Sequence, residues 1–112
     1  MIILHTAYLI LTAIIGFSSI GDSELFTILA LFIAPLISWW GGSGMRGAFH
    51  VGDKTQKLTG FVLGIVFLTI GIFWMWYEQT YVVIFNFEMI GEIWCIIGFL
   101  VGFIFTSKSD AR

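Results

Sequence analysis

The chain has 112 residues, 59% of them hydrophobic and only 11% charged, with a mean hydropathy of +1.02. A water-soluble domain carries about 25% charged side chains, so a soluble chain of this make-up would expose a large apolar surface and aggregate. The formal net charge of −2 lacks the basic excess of a nucleic-acid binder, and the expected class is an all-α integral membrane protein, a compact bundle of four transmembrane helices.

The first apolar run covers 2–20. No Lys or Arg precedes it and no small-residue cleavage signature follows it, so it is expected to stay as a membrane helix. His5 falls near one end of this run and reads as a polar interfacial residue. A turn-like cluster, Gly21-Asp22-Ser23-Glu24, follows. The second span is 24–41, with Asp22 or Ser23 available to cap its start. Pro35 lies inside it and predicts a kink near Leu31, whose carbonyl loses its helical donor.

Residues 41–57 form the longest polar connection. Glycines at 41, 42, 44, 47 and 52 argue against a stable helix there and predict a flexible basic loop facing anionic lipid heads. The third span, 58–77, is continuous, and Glu78-Gln79-Thr80 ends it. Residues 81–87 are β-branched and aromatic. They read either as an interfacial lead-in, with Asn86 capping the next helix, or as the first turns of a long tilted one. The fourth span is 88–106. Four crossings of about 20 residues leave no room for a soluble domain, so residues 1–112 are expected to form one membrane domain.

The basic residues alternate with the spans. Arg46, Lys54 and Lys57 fall between the second and third runs, and Lys108 and Arg112 follow the fourth. The other connections hold Asp22, Glu24 and Glu78 and no Lys or Arg. This positive-inside bias predicts a multi-pass protein of a cell membrane, of the bacterial inner-membrane type, with both termini cytoplasmic. Trp74, Trp76, Tyr77 and Tyr81 cluster at the expected outer face, and Trp39 and Trp40 mark the inner end of the second span, as headgroup anchors do.

Two small-residue stripes stand out. Gly60, Gly64 and Gly71 share one face of the third span, and Gly91, Gly98 and Gly102 one face of the fourth. Small faces let helices approach closely in lipid. The reversed spacing predicts that the stripes of two antiparallel helices meet each other, with a second subunit as the alternative occupant.

Glu88 and Glu92 are the candidates for ion or proton binding. Four residues apart, they share a face if helical, and two acids on one face raise each other's affinity for a proton. The plainer reading is that both complement a helix N-terminus and reach the headgroups. Gly47 to Thr55 nearly spells a phosphate-binding loop, but Asp53 stands where the lysine must follow Gly52, and the required strand and sheet are missing. His50 with Asp53 is too sparse for a metal site. Cys95, the sole cysteine, reads as a small buried hydrophobe. No Ser or Thr has a base at a credible spacing. The expectation is a non-enzymatic membrane protein without cofactor or metal. It would act through another membrane protein, as an accessory subunit, immunity factor or exclusion factor. The alternative is a small oligomeric transporter or channel using Glu88 and Glu92. Expected partners are the lipid bilayer and a membrane protein or a second copy, and no nucleic acid.

Overall fold

A computed structural model describes residues 2–21, 24–84 and 87–106. Four helices build it: α1 (Ile2–Ser18), α2 (Leu25–Val51), α3 (Lys54–Tyr77) and α4 (Gly91–Phe105). A two-stranded antiparallel hairpin, β1 (Tyr81–Ile84) and β2 (Phe87–Ile90), joins α3 to α4. The helices run alternately up and down, so the start of α1, the end of α2, the start of α3 and the end of α4 meet at one end of the bundle. α2 and α3 are long and apolar enough to cross a membrane, whereas α1 and α4 are shorter apolar helices.

Three local devices set the helix ends. α1 stops where Ser18 and Ser19 turn their hydroxyls back onto the carbonyls of Ile15 and Gly16 (2.8 and 2.7 Å), and Gly21 then takes a φ of 97° that only glycine adopts at little cost. α3 begins with a capping box: the Asp53 carboxylate accepts from the Gln56 N–H (2.8 Å), and the Gln56 side chain accepts from the Asp53 N–H (3.0 Å). α3 ends in a Schellman-type turn, in which Thr80 N–H reaches the Met75 carbonyl at 3.1 Å and Gln79 occupies the left-handed position with φ 51°.

The structure corrects several expectations. The glycine-rich segment predicted as a loop is helical, because α2 continues to Val51 and runs unbroken through Pro35. Helix propensity alone disfavours this, but the glycines let neighbouring backbones close in. Gly41 lies beside the Gly64 carbonyl, and Gly42 packs directly on the Phe99 carbonyl of α4. α2 starts from Glu24 with no side-chain cap. Residues 81–84 and 87–90 are not the first turns of a long helix. They are the paired strands of the hairpin, with Tyr81 opposite Ile90 and Val83 opposite Glu88, so α4 begins at Gly91 rather than at 88. Alternation along β1 turns Val82 into the bundle, fully buried, and leaves Tyr81 and Val83 exposed. Asp22, Ser23, Asn86, Lys108 and Arg112 lie outside the described residues.

α2 is the hub. Its antiparallel contact with α3 runs through Ala48 on Gly60, Met45 on Gly64, and Ser38 with Ala34 on Gly71. On its other side α2 crosses α4, where Gly102 meets the Trp39 carbonyl and Ser43. α1 closes the bundle through Tyr8 on Gly98 and Phe32 of α2 on Gly16. The core is Tyr8, Ile15, Ala30, Leu31, Ala34, Met75, Val82, Trp94 and Cys95.

Candidate functional site

The glycine stripes do not face each other as predicted. Gly60, Gly64 and Gly71 face α2, while Gly98 takes Tyr8 of α1 and Gly102 takes α2. α3 and α4 do touch, though not stripe to stripe: Gly91 lies under the Met75 sulfur, and Cys95 Sγ lies 3.5 Å from where a Cβ on Gly71 would sit. A stripe fixes which face of its own helix is smooth. It carries no information about which neighbour lies there.

The polar groups inside the bundle are largely consumed in holding it together. Tyr8 and Trp94 stack with ring centroids 4.7 Å apart. The Tyr8 hydroxyl donates to the Trp94 carbonyl (2.9 Å), the Trp94 indole N–H donates to Thr12 Oγ1 (3.1 Å), and the Thr12 hydroxyl donates to the Tyr8 carbonyl (2.9 Å). This closed circuit pins α1 to α4 at mid-bundle, and buried groups satisfied in this way stabilise and orient a core. Ser38 Oγ, fully buried, has no hydrogen-bond partner among the described residues; it faces the Gly71 backbone beside the Ala34 carbonyl, close enough for weak Cα–H···O contact.

Among the described residues, basic charge is confined to one end of the bundle, where Asp53 is the one acid. Arg46, Lys54 and Lys57 share the end where His5 Nε2 lies 3.2 Å from the Phe105 carbonyl and His50 Nε2 lies 3.1 Å from that of Thr106. Arg46 sits over the Phe103 ring at 5.1 Å and donates through Nε to His50 Nε2 (3.1 Å). Trp39 donates its indole N–H to His5 Nδ1 at 2.8 Å. The opposite end carries Glu24, Glu78, Glu88 and Glu92, and there Thr27 reaches Glu78 across 3.4 Å.

Glu88 and Glu92 are separated by a change of structure. Glu88 is on β2 and exposed, whereas Glu92 is in the first turn of α4 and half-buried. The helical spacing that would align them on one face therefore does not apply. Glu92 sits where a carboxylate complements the positive end of a helix.

Two openings mark the outer surface. A shallow hollow of about 410 Å³ lies along α3 beside Thr69, Ile70, Phe73, Trp74 and Tyr77. A groove of about 190 Å³ runs between α2 and α3, with Gly44, Gly60 and Gly64 on its floor and Trp40, Leu63 and Phe67 among its walls. Gly44 is singular among these glycines, for a Cβ built on it meets nothing within 4 Å. The capping box and this groove both escaped the sequence reading. The D-x-x-Q spacing of Asp53 and Gln56 was there to find. The groove depends on α2 continuing past Gly41, which the glycine content concealed.

No protein family, curated protein or solved structure matches this chain. Function must therefore be read from the residues themselves.

Proposed function

We propose that this chain is a four-span integral membrane protein of the bacterial inner-membrane type, with both termini on the cytoplasmic side. It acts without catalysis, by contacting another membrane protein as an accessory subunit, immunity factor or exclusion factor. Orientation follows from the basic end of the bundle, since Lys and Arg are retained in the cytoplasm. The long axis of 46 Å exceeds a hydrocarbon core of about 30 Å, and the ends carrying charge would lie in the headgroups.

The observation that carries the functional reading is how little α3 is used internally. Only 17% of its apolar window is buried in the bundle, and Phe61, Leu63, Val66, Ile70 and Phe73 all point outward. The Gly44 groove adjoins this face. A mid-helix glycine costs about 0.5–1 kcal/mol relative to alanine, and at Gly44 no neighbour among the described residues offsets that cost. A partner helix lying close against α2 and α3 would offset it. The alternative, a small oligomeric transporter or channel using Glu88 and Glu92, draws on the half-buried place of Glu92. It is the weaker reading, since Glu88 is exposed on β2 and the strand-to-helix change at Gly91 removes the shared face with Glu92.

The test is site-specific photocrosslinking in native membranes from positions 63 and 70, with 10 and 14 on α1 as controls. The expected result is one discrete heteromeric adduct from the α3 positions, lost on Gly44→Leu while the purified variant still folds. An adduct of twice the chain's own mass would favour the oligomeric transporter, and labelling of lipid alone from every position would reject a protein partner on this face.

A further inference from the structure

His5 and His50 come from different helices yet have the same surroundings. Each imidazole lies between a nitrogen donor on α2 and a terminal carbonyl of α4. For His5 the donor is the Trp39 indole (2.8 Å, at Nδ1) and the carbonyl is that of Phe105 (3.2 Å, at Nε2). For His50 the donor is Arg46 Nε and the carbonyl is that of Thr106, both 3.1 Å from the same atom, Nε2.

Donor chemistry fixes the protonation state this geometry requires. An indole N–H and a guanidinium only donate. His5 must therefore present a bare Nδ1 to Trp39, with its proton on Nε2 facing Phe105. His50 Nε2 faces the Arg46 donor and the Thr106 acceptor at once; it accepts from Arg46 only when bare, with its proton on Nδ1, and in that state it makes no hydrogen bond to the Thr106 carbonyl. Both α2 contacts thus exist only while the rings are neutral. The last turn of α4 contains no basic residue; the Thr106 hydroxyl donates to the Gly102 carbonyl, and among the described residues His5 and His50 lie against the carbonyls of Phe105 and Thr106, at the negative end of the helix dipole.

We propose that His5 and His50 form a proton-operated switch at the basic end of the bundle. Uptake of a proton by each ring releases its donor on α2 and leaves the ring bound to the end of α4. At His5 the proton adds to the Nδ1 lone pair, which can no longer accept from Trp39, while Nε2–H keeps the Phe105 carbonyl. At His50 it adds to the Nε2 lone pair. The new N–H points at the Thr106 carbonyl, and Arg46, now beside a like charge, keeps only its Phe103 ring. An imidazolium at a helix C-terminus is favourable, so what α2 loses α4 gains.

Among the described residues, the charged and titratable groups around the pair come from three helices. α2 contributes Arg46, α3 contributes the exposed Lys54 and Lys57, and Asp53 is held in its capping box. α1 adds Tyr8 one turn away, with its hydroxyl bonded to Trp94. The described end of α4 adds none. The sign follows: the α2 contacts are complete while both rings are neutral and are lost when each ring takes up a proton. The switch depends only on the geometry of the bundle end and does not require the partner proposed above.

The experiment is nuclear magnetic resonance on the ¹⁵N-labelled full chain in detergent micelles, from pH 8 to pH 5, with the Trp39 indole signal assigned through Trp39→Phe. At pH 8, His5 should show the Nε2–H tautomer and the Trp39 indole proton should lie downfield. On acidification that downfield shift should be lost in step with His5 titration, and the Arg46 Nε–H signal should follow His50. In His5→Gln, whose amide oxygen still accepts, the Trp39 signal should stay downfield at every pH. A Trp39 signal that ignores pH in the unmodified chain, or moves equally in His5→Gln, overturns the proposal. If His5→Gln does not fold, an Nδ1–H tautomer of His5 at pH 8 overturns it on the unmodified chain alone.

Discussion

Gly42 and Gly44 lie two residues apart in the same helix, and alanine at each should have opposite effects. Both positions are helical, so the intrinsic gain of alanine over glycine, about 0.5–1 kcal/mol, is common to the two variants and cancels between them. Above Gly44 there is open space, and the gain should be realised. At Gly42 the new Cβ would land on the Phe99 carbonyl oxygen, with Phe99 C at 3.0 Å and Phe103 N at 3.1 Å. All three are backbone atoms of α4. None can rotate aside, so the helices must separate or shift. Overpacking of this kind costs about 1–3 kcal/mol, and this is the expected difference between the variants. It corresponds to roughly a 5- to 150-fold change in the folding equilibrium. The assay is unfolding by sodium dodecyl sulfate in mixed micelles, followed by far-ultraviolet circular dichroism. Gly44→Ala should unfold at the same or higher detergent fraction than the unmodified chain, and Gly42→Ala at a lower one. Equal shifts in one direction would refute the account of α2 as a hub in close backbone contact with α4.

Three further outcomes can be measured in parallel. Thr12→Val should cost about 1–3 kcal/mol in the same titration, because the Trp94 indole N–H (3.1 Å from Thr12 Oγ1) is left buried without its acceptor, whereas Thr12→Ser keeps the hydroxyl and should lose less. Asp53→Ala should cost about 1 kcal/mol through loss of the capping box, and Asp53→Ser should restore most of it; no change in either would mean that the start of α3 does not limit stability. Glu88→Gln with Glu92→Gln should leave membrane level and cellular function intact, and loss of function at a normal level would favour the transporter reading.

Much of the fold was legible in the sequence because its largest signals are additive. Long apolar runs gave four helices in their order, and the placement of Arg46, Lys54 and Lys57 gave the polarity of the bundle end. The failures share a cause: each turned on what lay across from a residue. Gly41 and Gly42 looked like helix breakers because their local cost was visible and the backbones of α3 and α4 that pack on them were not. Glu88 and Glu92 looked like a pair because four residues is one helical turn, and a strand-to-helix change at Gly91 removes the premise. Val82, Val83 and Ile84 carried the strand signal as consecutive β-branched residues, but a run so short reads equally well as helix. Nothing local marks Trp94 as a core residue, because the groups that hold it, Tyr8 and Thr12, lie 86 and 82 residues away. His5, read as an interfacial residue, turned out to hold Trp39 and Phe105 together, contacts 34 and 100 residues away in sequence.

The shortness of α4 bears on where the acids can act. Fifteen residues rise about 22 Å, less than a hydrocarbon core of about 30 Å. Local thinning of the bilayer can absorb such a shortfall, and the hairpin extends beyond α4, its four-residue strands reaching about 13 Å if upright. A two-stranded hairpin has unpaired outer edges, and hydrocarbon does not tolerate them. Under the four-span reading the hairpin therefore lies at headgroup level, and Glu88, exposed on β2, lies there with it. Glu92, one turn into α4, becomes the deepest of the described acids, at the boundary rather than at mid-membrane. A charge at that depth is inexpensive and complements the helix terminus it occupies. Its position is thus accounted for without a transported ion, and a function attributed to Glu92 has to be shown by a loss that the folded, normally inserted Glu92→Gln variant suffers.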